Sequence, residues 1–378
     1  MWRFAGSGAA LILLLAGCGG SAASSPAAPG SVSAAAKPAS AAASAEAKPA
    51  GSAAAKPSPT ASASAGAAAA AKPEKAAITV ALPSDTAGTM PTRVGQDGGY
   101  FTKYGLTVNI DVVSASAAAQ ALTAGSVNMY QGGTTSINAD LGGADLIYFA
   151  APVDRSNLVL IGQKGITSFD QLRGKSVATT SPGAFGEIAM KKTAKEHGME
   201  VPKDIKLLYH PNSSASLTTF ISGGADALIA PPPFSTQALD KGYPTVVDFY
   251  KEGLKIVGPA LSSSRAFYQQ NPNTVKAFLM GYLDALKRSL DDPAFFKATE
   301  SKYAKITDQA LLDSDYQDGM RTWNKDLRVD PASIQVVLDA LGTPEAQSAD
   351  VKRFYDNAVV DQVMREYGVK VFPNDVKP

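Results

Sequence analysis

The sequence predicts an α/β protein of two lobes with a helical C-terminal tail, and three observations carry that expectation. Short β-branched runs alternate with helical patterns from about residue 78. The alternation restarts near Ser168, and after about residue 263 only helical patterns remain. Alternating strands and helices point to βαβ units around mainly parallel sheets. About 300 residues of ordinary globular composition favour two lobes over one enlarged core.

The elements follow in order. "ITVAL" reads as a strand leading into the polar loop "PSDTAGT", with a helix starting near Pro91. "LTVNIDVV" places Leu106, Val108, Ile110 and Val112 on one face, the period-2 mark of a strand. "SASAAAQALTAG" is a helix capped by Ser114 and stopped at Gly125. "SVNMYQGG" is a strand running into a glycine turn, and "TTSINADLGG" a short helix capped by Thr134 or Thr135. "DLIYFA" and "NLVLIGQ" are two further strands.

In the second block a short helix precedes a strand at 175–180, a glycine-bearing loop and a long helix ending before Gly198. "IKLLYH", "SSASLTTFISGG", "ADALIA", "STQALDKG" and "PTVVDF" continue the strand–helix alternation. "LKIVGPALS", at 255–263, reads as a strand returning to the first block. The boundaries expected are 78–162 plus 255–378 for lobe 1 and 163–254 for lobe 2, with hinge strands at about 155–163 and 255–263.

The N-terminal segment has a different character. Arg3 and an apolar run from about Ala9 lead into "LAGC", which places the chain's single cysteine, Cys18, after small residues. The run is too short to span a bilayer and has the layout of a signal peptide. "LAGC" resembles the bacterial lipobox, so residues 1–18 are expected to be a lipoprotein signal and Cys18 a lipidation site. Residues 19–77 are almost entirely Ala, Ser, Pro, Gly and Lys. Such a segment cannot bury enough apolar surface to offset its ordering entropy, so a disordered tether is expected. As a flexible coil it would reach on the order of 40–45 Å.

Charge excludes some partners. With 35 basic and 34 acidic side chains the net charge is +1, which gives no basic excess for nucleic acid. Once Cys18 is acylated no thiol remains for a disulfide or a cysteine metal site. His197 and His210, the two histidines, form no metal or triad pattern, so neither metal nor cofactor is expected.

Ligands of open α/β sheets sit beyond the carboxyl ends of strands, where small residues let backbone N–H groups approach. Four loops occupy such positions. "PSDTAG" supplies Ser84, Asp85 and Thr86, and "QGGTT" supplies Gly132, Gly133 and Thr134. "SPGAFG" supplies Ser181, Gly183, Ala184 and Phe185, and "HPNSS" supplies His210, Asn212 and Ser213. Pro231, with Pro232 and Pro233 after "ADALIA", forms a rigid rim that either lines the cleft or merely ends the strand. The same residue types also serve as plain helix caps and turns. Tyr130, Phe185, Tyr209 and Phe234 lie beside these loops and either stack on a planar ligand or fill the core.

The segments "DGGYFTKYGLTVNIDVV", "ALTAGSVNMYQGGTTSI", "SFDQLRGKSVATTSPGAFGEIAMKK", "SGGADALIAPPPFSTQAL" and "NPNTVKAFLMGYLDAL" together resemble substrate-binding proteins of ABC transporters, of the nitrate/sulfonate/taurine and thiamine-precursor type. The resemblance covers about 78–370. It implies a periplasmic-binding-protein-like fold of type II with two hinge strands and a ligand held between the lobes. It further implies an extracytoplasmic, membrane-anchored, monomeric carrier that hands a small-molecule solute to an ABC permease and its ATPase. Asn128 stands where relatives usually carry an acidic residue. Two alternatives share the fold: an enzyme of thiamine-pyrimidine or menaquinone-precursor synthesis, and a ligand sensor. The enzyme is disfavoured by the export signal and by the lack of a thiol nucleophile or a G-x-S-x-G, H-E-x-x-H or P-loop pattern. The candidate loops hold Asp85 but no Lys or Arg, which leans the ligand toward a small neutral or heterocyclic solute.

Overall fold

The computed structural model describes residues 72–372, which fall within one compact unit. The leader, Cys18 and the tether up to residue 71 lie outside the described residues. Order begins ahead of the first strand. Glu74 accepts hydrogen bonds from the backbone N–H groups of Asn273 and Thr274, and the Lys75 N–H donates to the Thr274 hydroxyl.

The first sheet is built from β1 (Ala77–Leu82), α1 (Met90–Asp97), β2 (Thr107–Val112), α2 (Ala115–Thr123), β3 (Met129–Gly132), α3 (Thr135–Leu141) and β4 (Leu146–Ala150). The second contains β5 (Val159–Gly162), β6 (Lys175–Thr179), α4 (Phe185–Glu196), β7 (Ile205–Tyr209), α5 (Ser213–Ile221), β8 (Ala227–Ala230), α6 (Phe234–Asp240) and β9 (Thr245–Asp248). The chain then returns to the first sheet as β10 (Ala260–Ser264). Strand order is β2-β1-β3-β10-β4 in one sheet and β7-β6-β8-β5-β9 in the other. The two orders are one pattern used twice. In each, the strand that follows a crossing is antiparallel to both neighbours: β10 against β3 and β4, and β5 against β8 and β9. The βαβ pairs are parallel, as expected, so both sheets are mixed.

The crossings themselves are residues 151–158 and 249–259. They lie side by side, with the Ser156 N–H bonded to the Leu254 carbonyl at 2.9 Å and the Phe249 N–H to that of Leu158 at 3.1 Å. The returning strand starts at Ala260, five residues later than the pattern "LKIVGPALS" suggested. Pro259 has no N–H to give a ladder, and Gly258 has no side chain to pack against one.

Helices α7 (Arg265–Gln270), α8 (Pro272–Asp291), α9 (Pro293–Ala304), α10 (Gln309–Thr322), α11 (Pro331–Leu341), α12 (Pro344–Ser348) and α13 (Ala358–Val363) form the tail. Prolines at the first turns of α8, α9, α11 and α12 fit positions whose N–H has no helical partner. Helix α8 lays Phe278, Tyr282 and Leu286 against α1 and the first sheet. Helix α11 behaves differently: it packs on α4, and its Ile334, Val337 and Leu338 share a core with Ile188 and Phe169 of the second lobe. That core also includes Tyr148 and Ala260 of the first sheet, so apolar packing joins the lobes on the hinge side. Among the described residues no helix is long and apolar enough to cross a membrane.

Candidate functional site

The carboxyl ends of β1, β3, β6 and β8 face one another across the lobes, and a cavity of about 840 Å³, counting the space at its open mouth, lies between them. Its first-lobe wall is Pro83, Ser84, Thr86 and Thr89 after β1, Ala115 at the start of α2, and Tyr130 with Gly132–Thr135 on β3 and just beyond it. The second-lobe wall is Thr179 and Thr180 at the end of β6, Ala184–Gly186 at the start of α4, Pro211–Ser213 at the start of α5, and Ile229 and Pro231 on β8 and beyond. Asn157, Leu158, Gly258 and Pro259 floor it from the two crossings.

Each wall segment is fixed by named contacts. The β3 turn is closed by Tyr148, whose hydroxyl donates to the Gly133 carbonyl at 2.6 Å, and by Tyr130, whose hydroxyl lies 3.2 Å from that of Thr135. Tyr130 is fully buried, and burial pushes its hydroxyl up to about 12. Its ring folds back over Gly132, where an added Cβ would sit 1.8 Å from a ring carbon. Only glycine admits that approach.

The loop after β1 is clamped from behind. The Ala87 N–H donates to Asp315 at 2.8 Å, and the Trp323 indole donates to the Ala87 carbonyl at 2.9 Å. Asn157 is held in the same way, its amide donating to Asp318 at 2.6 Å. Helix α10 and the turn after it therefore brace two separate parts of the cavity wall.

Of the residues singled out from sequence, Ser84, Thr86, Gly132, Gly133, Thr134, Ala184, Phe185, Asn212, Ser213 and Pro231 line this cavity. Four others stand elsewhere. Asp85 is paired with Arg93 at 2.9 Å, and that guanidinium lies over the Tyr303 ring. His210 directs Nδ1 to the Thr179 carbonyl and Nε2 to the Thr219 hydroxyl, both within the second lobe. Ser181 is buried, and its carbonyl accepts from the Ala184 N–H. Gly183 connects the lobes: its carbonyl accepts from the Thr134 hydroxyl at 2.5 Å and from the Asn138 amide at 3.2 Å. A second cross-lobe contact joins the hydroxyls of Thr236 and Ser314 at 3.0 Å. Asn128 lies away from the wall, its carbonyl oxygen accepting from the Thr79 N–H.

Thr89, Ala115, Asn157, Leu158, Thr179, Thr180 and Gly258–Pro259 line the cavity without having been singled out. The crossing residues were findable in principle, since a cleft between lobes must be floored by the segments that join them.

Glu187 is the buried acid nearest the second-lobe loop. Burial alone would raise its carboxyl, but hydrogen bonds from Lys191, the Gly183 N–H and the Tyr209 hydroxyl outweigh it and hold the group below the usual range.

A two-lobed α/β frame with a cavity floored by two crossings defines the fold class: the periplasmic-binding-protein fold. Solved structures agree on the fold. A protein of Bordetella bronchiseptica RB50 superposes with a TM-score of 0.69 at 21% identity, covering 78% of this chain and 99% of that one. The periplasmic nitrate-binding protein NrtA of Synechocystis PCC 6803 gives 0.62 at 14% identity, covering 80% and 92%. The periplasmic aliphatic sulphonate-binding protein SsuA of Escherichia coli gives 0.57 at 16% identity, covering 79% and 94%. No curated protein sequence matches the chain. Residues 87–295, more than half the chain, match the family described as NMT1/THI5 like, and the chain belongs to that family.

Proposed function

We propose that the protein is an extracytoplasmic solute-binding lipoprotein that captures a small molecule between its lobes and delivers it to an ABC permease and its ATPase. The observation that carries this reading is the cavity walled by both lobes and floored by the crossings. A ligand there touches both lobes at once, so its binding energy favours the closed arrangement. The nitrate- and sulphonate-binding proteins of like fold support the same role. The wall carries no His, Asp, Glu, Lys or Cys among the described residues, and burial pushes its Tyr130 hydroxyl up to about 12, so a reaction there would lack a side-chain base suited to neutral pH. That favours carriage over turnover. In this reading Cys18 anchors the chain and residues 19–71 hold the lobes off the membrane as a monomer.

The test uses the full chain in its native membrane. Wild-type protein is expected to fractionate with membranes and Cys18→Ala with the soluble fraction. A small molecule released by denaturing the protein is expected to rebind, compact the protein in small-angle scattering, and be recovered chemically unchanged. Chemical conversion of that molecule, or membrane association of the Cys18→Ala protein, would overturn the reading.

A further inference from the structure

The chemistry of the cavity wall points to a ligand class, an inference that rests on the cleft reading above. We propose that the cleft takes an electroneutral, largely apolar small molecule, oriented by hydroxyl and amide groups, in place of a nitrate- or sulfonate-type anion.

Three observations converge. First, no ionisable side chain other than a tyrosine hydroxyl lines the cavity among the described residues. The cations nearest in sequence are Arg155, Lys255 and Arg93, and none of them is a lining residue: Arg155 pairs with Asp154 at 3.7 Å, Lys255 with Asp330 at 3.7 Å, and Arg93 is buried against Asp85 and the Tyr303 ring. Second, the wall is mostly carbon: Leu158, Ile229, Phe185 and four prolines line the space. The few polar groups are placed to orient. The hydroxyls of Ser84, Thr86, Thr180 and Ser213 have no hydrogen-bond partner among the described residues, which leaves them for a ligand. Asn157 spends its amide N–H on Asp318 and keeps its carbonyl oxygen as an acceptor.

Third, three of the helix starts at the wall, those of α2, α4 and α5, are already compensated, while α1 and α3 start at Thr89 and Thr134 without a side-chain cap. The longest helix starting at the wall, α4, carries the ionised Glu187 in its first turn, bonded to the Gly183 N–H. The N-termini of α2 and α5 are capped by Ser114 and Asn212, which accept from Ala117 and Ala215. A buried anion needs a paired cation or free donors to replace its hydration. This wall offers no cation and mainly hydroxyls, which serve neutral polar groups equally well.

The experiment uses matched pairs that differ in charge but not in shape: benzamide against benzoate, benzenesulfonamide against benzenesulfonate, and methyl phenyl sulfone against the same sulfonate. Full-chain protein, unfolded and refolded to strip ligand, is titrated with each by calorimetry and thermal shift. A blocked variant, Gly133→Leu, reports on the site, since an added Cβ at Gly133 meets only contacts at 3.7 Å and a leucine would fill the cavity without backbone strain. The neutral member is expected to bind at least tenfold more tightly in each binding pair, and only in unblocked protein. Thr180→Lys and Ser84→Lys, which put a cation on either wall, are expected to narrow or invert that ratio. Tighter binding of the anions, abolished by Gly133→Leu, overturns the ligand class and leaves the cleft standing. Binding that survives Gly133→Leu overturns the cleft itself. Failure of all pairs to discriminate, including failure to bind, also counts against the proposal.

Discussion

Glu300 and Asp315 are buried against each other behind the cavity, on α9 and α10, and their ionisation should tax the fold at neutral pH. With both carboxyls charged, neither Glu300 oxygen nor Asp315 Oδ1 has a hydrogen-bond donor. One proton placed between them gives each a partner. Burial, with no cation to offset it, pushes Glu300 up to about 7, and burial, Glu300 and Asp318 drive Asp315 well above the usual carboxylate range. The sign follows. From about pH 4.5 to 7 the folded state keeps a Glu300 proton that the unfolded chain has released, so stability falls as pH rises, and the raised Asp315 carries that fall further. A shift of this size corresponds to about 3 kcal/mol.

Glu300→Gln removes the ionisation while its amide still donates to Asp315. The variant is expected to gain on wild type by about 3 kcal/mol between pH 5 and 8, read by urea unfolding at each pH. In melting temperature that is a growing gap on the order of 5 °C. A gap that stays constant over this range, or narrows, would refute the shared-proton reasoning. Because Asp315 also holds the Ala87 N–H, ligand affinity in wild type is expected to weaken over the same range, and the variant to lose most of that dependence.

Three further perturbations test the wall and the cross-lobe contact. Gly183 has φ +70° and an added Cβ would lie 2.1 Å from the Asn138 amide, so Gly183→Ala should cost about 1–2 kcal/mol in stability and open the lobes, seen as a larger radius of gyration. Gly132→Ala drives a methyl into the Tyr130 ring and should destabilise by about 2–3 kcal/mol with loss of ligand binding; wild-type urea midpoints would speak against that crowding. Glu187 sits below its ordinary range, so its contribution is present above about pH 4.5 and is lost as pH falls through its folded value. Glu187→Gln should therefore cost about 1.5–3 kcal/mol at pH 7, with the difference from wild type shrinking toward pH 3.

The sheets were legible because each strand carries its own signal: "ITVAL", "IKLLYH" and "ADALIA" are β-branched or apolar runs bounded by turn residues. Helix starts were legible where the capping atom is local, as with Ser114 accepting from Ala117 at 3.3 Å. What could not be read is what distant segments do to each other. Thr134 sits at a helix start and looks like a cap, yet its hydroxyl reaches 49 residues along the chain to the Gly183 carbonyl. Gly183 looks like a ligand-approach glycine, yet it receives that contact. His210 looks like a site residue by its loop, yet Thr179 and Thr219 occupy both ring nitrogens. In each case local composition fixed the loop and a tertiary partner fixed the side chain's use. The same distinction explains the tail. Its helices were plain from periodicity, but nothing local tells α10 that Asp315 and Asp318 will brace Ala87 and Asn157 from behind the wall. That bracing ties the tail to the cavity, so substitutions in α10 remote from any ligand are expected to alter affinity through the loop after β1 and the first crossing.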